Sequence, residues 1–325
     1  MKIQRTLRAR QFGAASRALV ALLASAALLS CKKDGPTGPG SSVYSLEIRF
    51  LDTAPTGGTR TSFETAFTII RETITEPLSP VGIPGSFTDL ADCGAPYAGQ
   101  PAITSETIEG LIVYVLVEPI DGTGGVLGSA GPCLVRSEAQ NSLTALGVMR
   151  FDEADVASLQ SSGRLSVVVL HELMHVLGFG TIWVENSLLS GDSTADARFL
   201  GPRARVACAN AHGGGANCAT NVPVHSADGT GSAYSHWRES LFTSELMTPF
   251  LTGGATPLSL MTVESLGDLG YTVSSVHTNA FTVSGSLLRM GDVPSMEPLV
   301  RFSEPQRPVF TISETGVLVP YRSRR

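Results

Sequence analysis

The chain has 325 residues, 42% hydrophobic and 6% aromatic, enough for one sizeable domain or two small ones. Its 34 Gly and 19 Pro imply many turns, but they follow no collagen-like period and form no long low-complexity tract. The net charge of −6 includes five positive residues within the first 30; without that stretch 18 Lys and Arg face 29 Asp and Glu, a net of −11. That balance excludes nucleic acid as a partner, because phosphate binding needs a basic patch.

The five early cations, Lys2, Arg5, Arg8, Arg10 and Arg17, precede the apolar run Ala18 to Leu29. The run is too short for a good membrane span and reads as a secretory signal over residues 1–30. It ends in Leu28-Leu29-Ser30-Cys31, which resembles the bacterial lipoprotein cleavage box, where the cysteine becomes the lipidated first residue. Lys32 and Lys33 follow, with no Asp directly after the cysteine. The expected location is therefore the outer membrane or cell surface, reached through a lipid anchor only, with plain secretion as the alternative. Residues 31–42 read as the lipidated Cys31 and a flexible tether rich in Gly, Pro and Ser. With Cys31 assigned to lipid, Cys93, Cys133, Cys208 and Cys218 form an even set, which suggests two disulfides in an exported protein. Pairing of nearest neighbours, Cys93 with Cys133 and Cys208 with Cys218, is one of three possibilities.

Val43 to Phe50 alternates apolar and polar residues and predicts a half-buried strand. Thr56-Gly57-Gly58 reads as a turn. Apolar residues at 63, 66, 67, 70 and 74 predict a helix that Pro77 closes, and the Pro- and Gly-rich stretch 77–100 reads as loop. Leu111 to Val117 is a β-branched apolar run, expected as a central strand; a loop at 121–125 and a short strand at 147–151 follow. Asp152 can cap a helix over 153–160, with Asp155 placed like the partner in a capping box, and Ser161-Ser162-Gly163 breaks it.

The next stretch is Leu165-Ser166-Val167-Val168-Val169-Leu170, almost wholly apolar, as for a helix buried on most sides. It runs into His171-Glu172-Leu173-Met174-His175-Val176-Leu177-Gly178-Phe179-Gly180. Residues four apart share a helix face, so His171 and His175 can aim ring nitrogens at one point, with Glu172 beside them to take a proton from water. Zinc suits such a site because it accepts neutral imidazole and can keep a fourth position open. The bland reading is two core histidines bonded to neighbours. Gly178, three residues after His175, can adopt a left-handed turn and end the helix abruptly. Residues 179–235, rich in Gly, Ala, Ser and Asn, read as long loops. A last helix is expected over 265–271, beginning near Thr262, and 276–325 reads as short strands and turns with no catalytic cluster.

A catalytic zinc needs a third protein ligand. His212 sits in a Gly-rich setting suited to a mobile surface loop, His277 stands in the tail without companions, and His225 is chemically possible. His236 differs, because it lies in Ser235-His236-Trp237-Arg238-Glu239, with Glu245-Leu246-Met247-Thr248-Pro249 following.

These blocks together resemble the leishmanolysin-type zinc endopeptidases, a branch of the metzincins, over roughly residues 110–275. In that branch the third histidine lies far downstream of the first two, with a methionine soon after it. Here His236 is 61 residues beyond His175, and Met247 is 11 beyond His236. The resemblance implies one Zn2+ held by His171, His175 and His236, Glu172 as general base, and Met247 as an apolar floor that packs rather than ligates. It implies an α+β fold: a metzincin-like two-part catalytic domain over 43–275. A twisted mixed sheet and the active-site helix (43–178) would stand above a loop-rich lower half (179–275), with a small β-type extension at 276–325. Trp237, Arg238 and Glu239 are expected to be fold elements, and Pro249 stands where some metzincins have a tyrosine, so no such role is assigned. The implied partner is a protein or peptide lying extended along a sheet-edge strand within 126–136 or 147–151. Two other readings compete. One takes the third ligand from a later carboxylate, Glu185, Glu239 or Glu245. The other is a surface-anchored adhesion or binding protein that keeps zinc for stability only, and an intact Glu172 argues against it.

Overall fold

The computed structural model describes residues 43–51, 53–83, 85, 87, 90–93, 105–227, 232–283 and 305–322, together with the backbone of 300–303. The expected signal, Cys31 and the tether lie outside these residues. The first strand, β1 (Leu46–Phe50), keeps the predicted alternation, with Leu46 buried and Glu47 exposed. Helix α1 (Gly57–Thr73) starts six residues earlier than the apolar spacing predicts. Gly57, expected in a turn, takes φ +57° and opens the helix directly after Thr56. The polar residues 58–62 carry no periodicity that could have announced those turns. Phe63, Ala66, Phe67 and Ile70 are fully buried at the predicted spacing, and Ile74 leaves the helix to pair with Val273. The short strands β2 (Val81–Gly82) and β3 (Thr107–Ile108) pair antiparallel apart from the main sheet.

The centre of the main sheet is β4 (Leu111–Glu118), β5 (Val126–Arg136) and β6 (Thr144–Asp152). β4 lies parallel to β1 and β6, and β5 is antiparallel to β6. The continuous apolar run of β4 follows from burial on both faces. Leu111, Val113 and Val115 join the core on the helix side, whereas Ile112, Tyr114 and Leu116 join Val81, Phe87 and Leu90 on the other. β5 carries Gly128, Gly131 and Pro132, which dilute its strand pattern. Cys133 of β5 is bonded to Cys93, and Cys208 to Cys218, so the cysteines pair as nearest neighbours.

Asp152 accepts from the Ala154 N–H and caps α2 (Glu153–Ser161). Asp155 does not complete a capping box; its carboxylate accepts from the Gly124 N–H and fastens the 121–125 loop instead. Next comes α3 (Leu165–Val176), which packs between α1 and the sheet.

Beyond α3 the chain is mostly loop. Strands β7 (Leu189–Ser190), β8 (Arg198–Phe199) and β9 (Val222–Pro223) make a small antiparallel sheet. The short helices α4 (Pro202–Val206) and α5 (Glu239–Phe242), strand β10 (Phe250–Leu251) and helix α6 (Leu260–Leu269) complete this half. Ser259 caps α6 by accepting from the Thr262 N–H, so the helix starts at Leu260, two residues before the predicted start. An aromatic cluster replaces regular structure as the organiser here. Both tryptophans of the chain, Trp183 and Trp237, are fully buried with Phe179, Phe199 and Phe242, and their ring centroids stand 4.7 to 6.3 Å apart.

The tail contributes β11 (Val300–Ser303), β12 (Phe310–Ile312) and β13 (Leu318–Pro320), which are built into the main sheet. The strand order is β1-β4-β6-β5-β11-β10, with β12 also on β5 and β13 on β12. Residues 147–151 are therefore interior to the sheet, and the outer side of β5 is taken by β11 and β12. Neither offers the free edge expected for a bound peptide.

Candidate metal centre

Helix α3 is apolar on nearly every side, so it forms inside the core and carries His171, Glu172 and His175 with it; all three are fully buried. The i, i+4 spacing sets the Nε2 atoms of His171 and His175 3.1 Å apart. The helix stops in a Schellman turn: the Gly178 N–H donates to the His175 carbonyl and the Phe179 N–H to Met174, with Gly178 at φ +111°. Its last carbonyls find partners outside the helix. Thr144 Oγ1 donates to Val176 at 2.6 Å and the Tyr271 hydroxyl to Leu177 at 3.0 Å.

His236 reaches the same point from a loop. Gly180, at φ +73°, allows the approach, since a Cβ there would stand 2.2 Å from the Ser235 carbonyl oxygen. On either side of His236 the backbone is tied down: the Trp237 N–H donates to the Met247 carbonyl and the His225 N–H to the His236 carbonyl. The Trp237 indole donates to Thr262 and packs against Phe179, so the loop is anchored beside the end of α3. As a result the His236 Nε2 stands 3.1 Å from that of His175 and 3.3 Å from that of His171.

The other histidines lie elsewhere. His212, expected on a mobile surface loop, is 4% exposed; its Nδ1 meets the Phe281 carbonyl and its Nε2 accepts from the Met261 N–H. His277 is not alone but pairs with Glu72. His225 is buried, but its Nδ1 faces the Glu239 N–H. Among the described residues, His171, His175 and His236 are the group of His, Cys, Asp or Glu side chains able to hold a metal together. Glu185, Glu239 and Glu245 do not join it.

The second nitrogens fix how the rings are protonated. Nδ1 of His171 meets the Leu246 carbonyl at 2.7 Å, that of His175 meets Phe179 at 2.8 Å, and that of His236 meets Ser232 at 3.0 Å. A carbonyl only accepts, so each Nδ1 carries the proton and each Nε2 carries a lone pair. Burial holds all three imidazoles neutral, with His175 lowered to about 4 and the proximity of His175 adding to the effect at His171 and His236. Three lone pairs converging at 3.1 to 3.3 Å repel one another unless a cation lies between them. Nitrogen atoms at that spacing can all sit about 2.0–2.1 Å from one zinc ion. The donor set fits the metal.

Two buried glutamates flank this cluster. Among the described residues neither carboxylate oxygen of Glu172 has a hydrogen-bond partner, and burial pushes its pKa well up. Gly128 of β5 lies against it: a Cβ there would stand 3.2 Å from the Glu172 carboxyl carbon. Glu245 is the opposite case. Its carboxylate accepts from the Met247 N–H at 2.6 Å, from the Ser259 N–H and hydroxyl at 3.2 and 2.6 Å, and from Thr262 Oγ1. It thus fixes the turn whose Leu246 carbonyl orients His171, a part that sequence reasoning missed. The only signal was a Glu two residues before Met247. Met247 itself is fully buried.

A family model described as leishmanolysin (peptidase M8) matches residues 91–284. No curated protein matches the chain. The match takes in α3, the whole loop-rich half and all three histidines of the cluster. The mixed sheet over a buried active-site helix is the metzincin-like arrangement. With well over half its length matched, the chain belongs to the leishmanolysin family of zinc-dependent metallopeptidases.

Proposed function

We propose that this protein is an exported zinc endopeptidase in which His171, His175 and His236 hold the metal through Nε2 and Glu172 is the general base. The convergence of three lone-pair nitrogens beside a buried carboxylate that has no partner among the described residues carries this reading. Zinc, when bound, supplies Lewis acidity: it makes water acidic near neutral pH and polarises a carbonyl. The chain does the rest. Glu172 takes the proton from water on a carboxylate oxygen and returns it to the leaving amine. The Leu246, Phe179 and Ser232 carbonyls keep the three imidazoles in the ligating tautomer and orientation. Met247 packs beneath the site, while Trp237 anchors the loop that brings His236 in. The leader sequence and the two disulfides support export, with Cys31 as the lipid-bearing residue. A site kept only for stability fills all four positions with protein ligands, and among the described residues the set is three histidines with Glu172 unpartnered, which does not favour that reading.

The test is digestion of casein by the zinc-loaded protein, beside its Glu172→Ala variant and a chelator control. Digestion lost in both controls is the expected result. Digestion that survives in Glu172→Ala would remove the general-base assignment.

A further inference from the structure

A strand at a sheet edge binds an added peptide through backbone N–H and C=O groups, largely regardless of sequence. In this molecule the outer edge of β5 is occupied by the chain itself. β11 runs parallel to it, with Arg301 opposite Val126 and Ser303 opposite Gly128. The Gln306 N–H donates to the Ala130 carbonyl at 2.7 Å and the Val309 N–H to Cys133 at 3.0 Å. β12 continues the pairing, Phe310 to Ile312 opposite Leu134 to Arg136. Gly131 makes room for this contact, because a Cβ there would stand 2.2 Å from the Gln306 carbonyl oxygen. Side chains add two ties: Gln306 Nε2 donates to Ser129 Oγ at 2.8 Å, and Arg307 Nη1 donates to the Thr181 carbonyl at 3.2 Å, on the turn that leaves the metal helix.

The same segment also reaches the other half of the molecule. On its far side β11 pairs antiparallel with β10, Leu251 opposite Val300 and Phe250 opposite Arg301, three to four residues beyond Met247. It packs against α3 as well. One stretch of backbone therefore joins the sheet to the loop-rich half at the level of Gly128, the residue of β5 that lies against Glu172. His171, Glu172, His175 and His236 have no exposed surface.

We infer that the outer edge of β5 is the docking edge for an extended peptide, and that the chain's own β11 and the stretch from Pro305 through β12 are its resident occupant, closing the metal centre in the intact protein. The inference rests on the peptidase reading above. Its outer side is already taken, by β10 on β11 and by β13 on β12, and Pro305 and Pro308 between them have no N–H to offer. Its hold on β5 itself rests largely on backbone bonds, each individually modest.

The experiment uses the full zinc-loaded chain, the double variant Gln306→Pro/Val309→Pro, which removes the two N–H donors to β5, and Arg307→Ala, which removes only an exposed side chain's tie. Each variant is first checked for a cooperative thermal melt. Two quantities are read: turnover of an internally quenched peptide, and binding of a fluorescent synthetic peptide with the sequence of residues 300–312. The expected result is a rise of about tenfold or more in both for the double variant, and about threefold for Arg307→Ala, which carries the test alone if the double variant does not fold. Equal turnover and equal peptide binding in parent and folded variants overturns the occupant role, while Glu172-dependent turnover in all of them leaves the peptidase reading intact. Tighter peptide binding without turnover in any zinc-loaded form upholds the occupant role and overturns the peptidase reading.

Discussion

The metal cluster has a helix side and a loop side, and each contains one fully buried glutamate. On the helix side, Glu172 sits on an apolar, buried helix and has no hydrogen-bond partner among the described residues. On the loop side, Glu245 is surrounded by donors from Met247, Ser259 and Thr262. Burial raises the pKa of both, but only in Glu245 do hydrogen bonds oppose it. The contrast separates two uses of a buried carboxylate. In a loop without a hydrogen-bonded ladder of its own, the carboxylate supplies the missing acceptors and fixes a turn. On a helix that needs no such help, its oxygens stay available for chemistry.

The largest test of this contrast is at the metal. His236→Ala should lose stoichiometric zinc and turnover together, whereas Glu172→Gln should keep zinc and lose about 10²–10⁴-fold in rate. Metal analysis after dialysis beside a peptide assay separates the two; zinc retained with turnover in His236→Ala breaks the ligand assignment. The next effect is on stability. Glu245→Ala leaves the Met247 N–H and the Ser259 and Thr262 hydroxyl groups without their acceptor, and should cost about 2–4 kcal/mol in urea unfolding. Its zinc affinity should fall too, because the Leu246 carbonyl that orients His171 loosens. A Glu245→Ala protein as stable as the parent would mean that the loop is organised by its aromatic cluster alone.

A third effect sharpens the electrostatic side. Burial depresses the folded-state pKa of His171, His175 and His236, so as pH falls below the ordinary histidine value of 6.5 the unfolded chain binds protons first. The metal-free protein should therefore lose stability from about pH 6.5 downward, toward the value of about 4 reached by His175, at up to about 1.4 kcal/mol per pH unit for each ring. Denaturation midpoints of the chelated protein at pH 7, 6 and 5 check this. A flat profile would mean that the rings are already open to water once the metal is gone.

What was legible in the sequence follows the range of each interaction. His171 and His175 could be placed from spacing alone, because four residues on a helix determine a face. The apolar positions of α1 and β4 were equally plain, since burial recurs with the period of the element. His236 depended on resemblance to a family. Its placement needs Gly180 to admit Ser235, and Trp237 to reach Thr262, contacts across 25 to 55 residues that leave no periodic trace. The start of α1 was missed because its first turns bury little. The cover on β5 was illegible for a further reason: Gln306 and Ala130 meet through backbone groups, which every residue but proline possesses.

The hydroxyl caps at the end of α3 decide where the molecule can bend. Thr144 comes from the sheet and Tyr271 from beyond the last helix, yet both bond to consecutive carbonyls at the exit of the metal helix. The Thr144 bond lies within the sheet half and the Tyr271 bond crosses to the loop-rich half, so a hinge at Gly178 would have to break the Tyr271 bond and the Schellman turn. The Tyr271 bond thus ties the two halves at their common joint, and a swing of one against the other works against it. On the occupant reading above, entry to the centre would come by peeling at the β5 margin, with no swing of the halves.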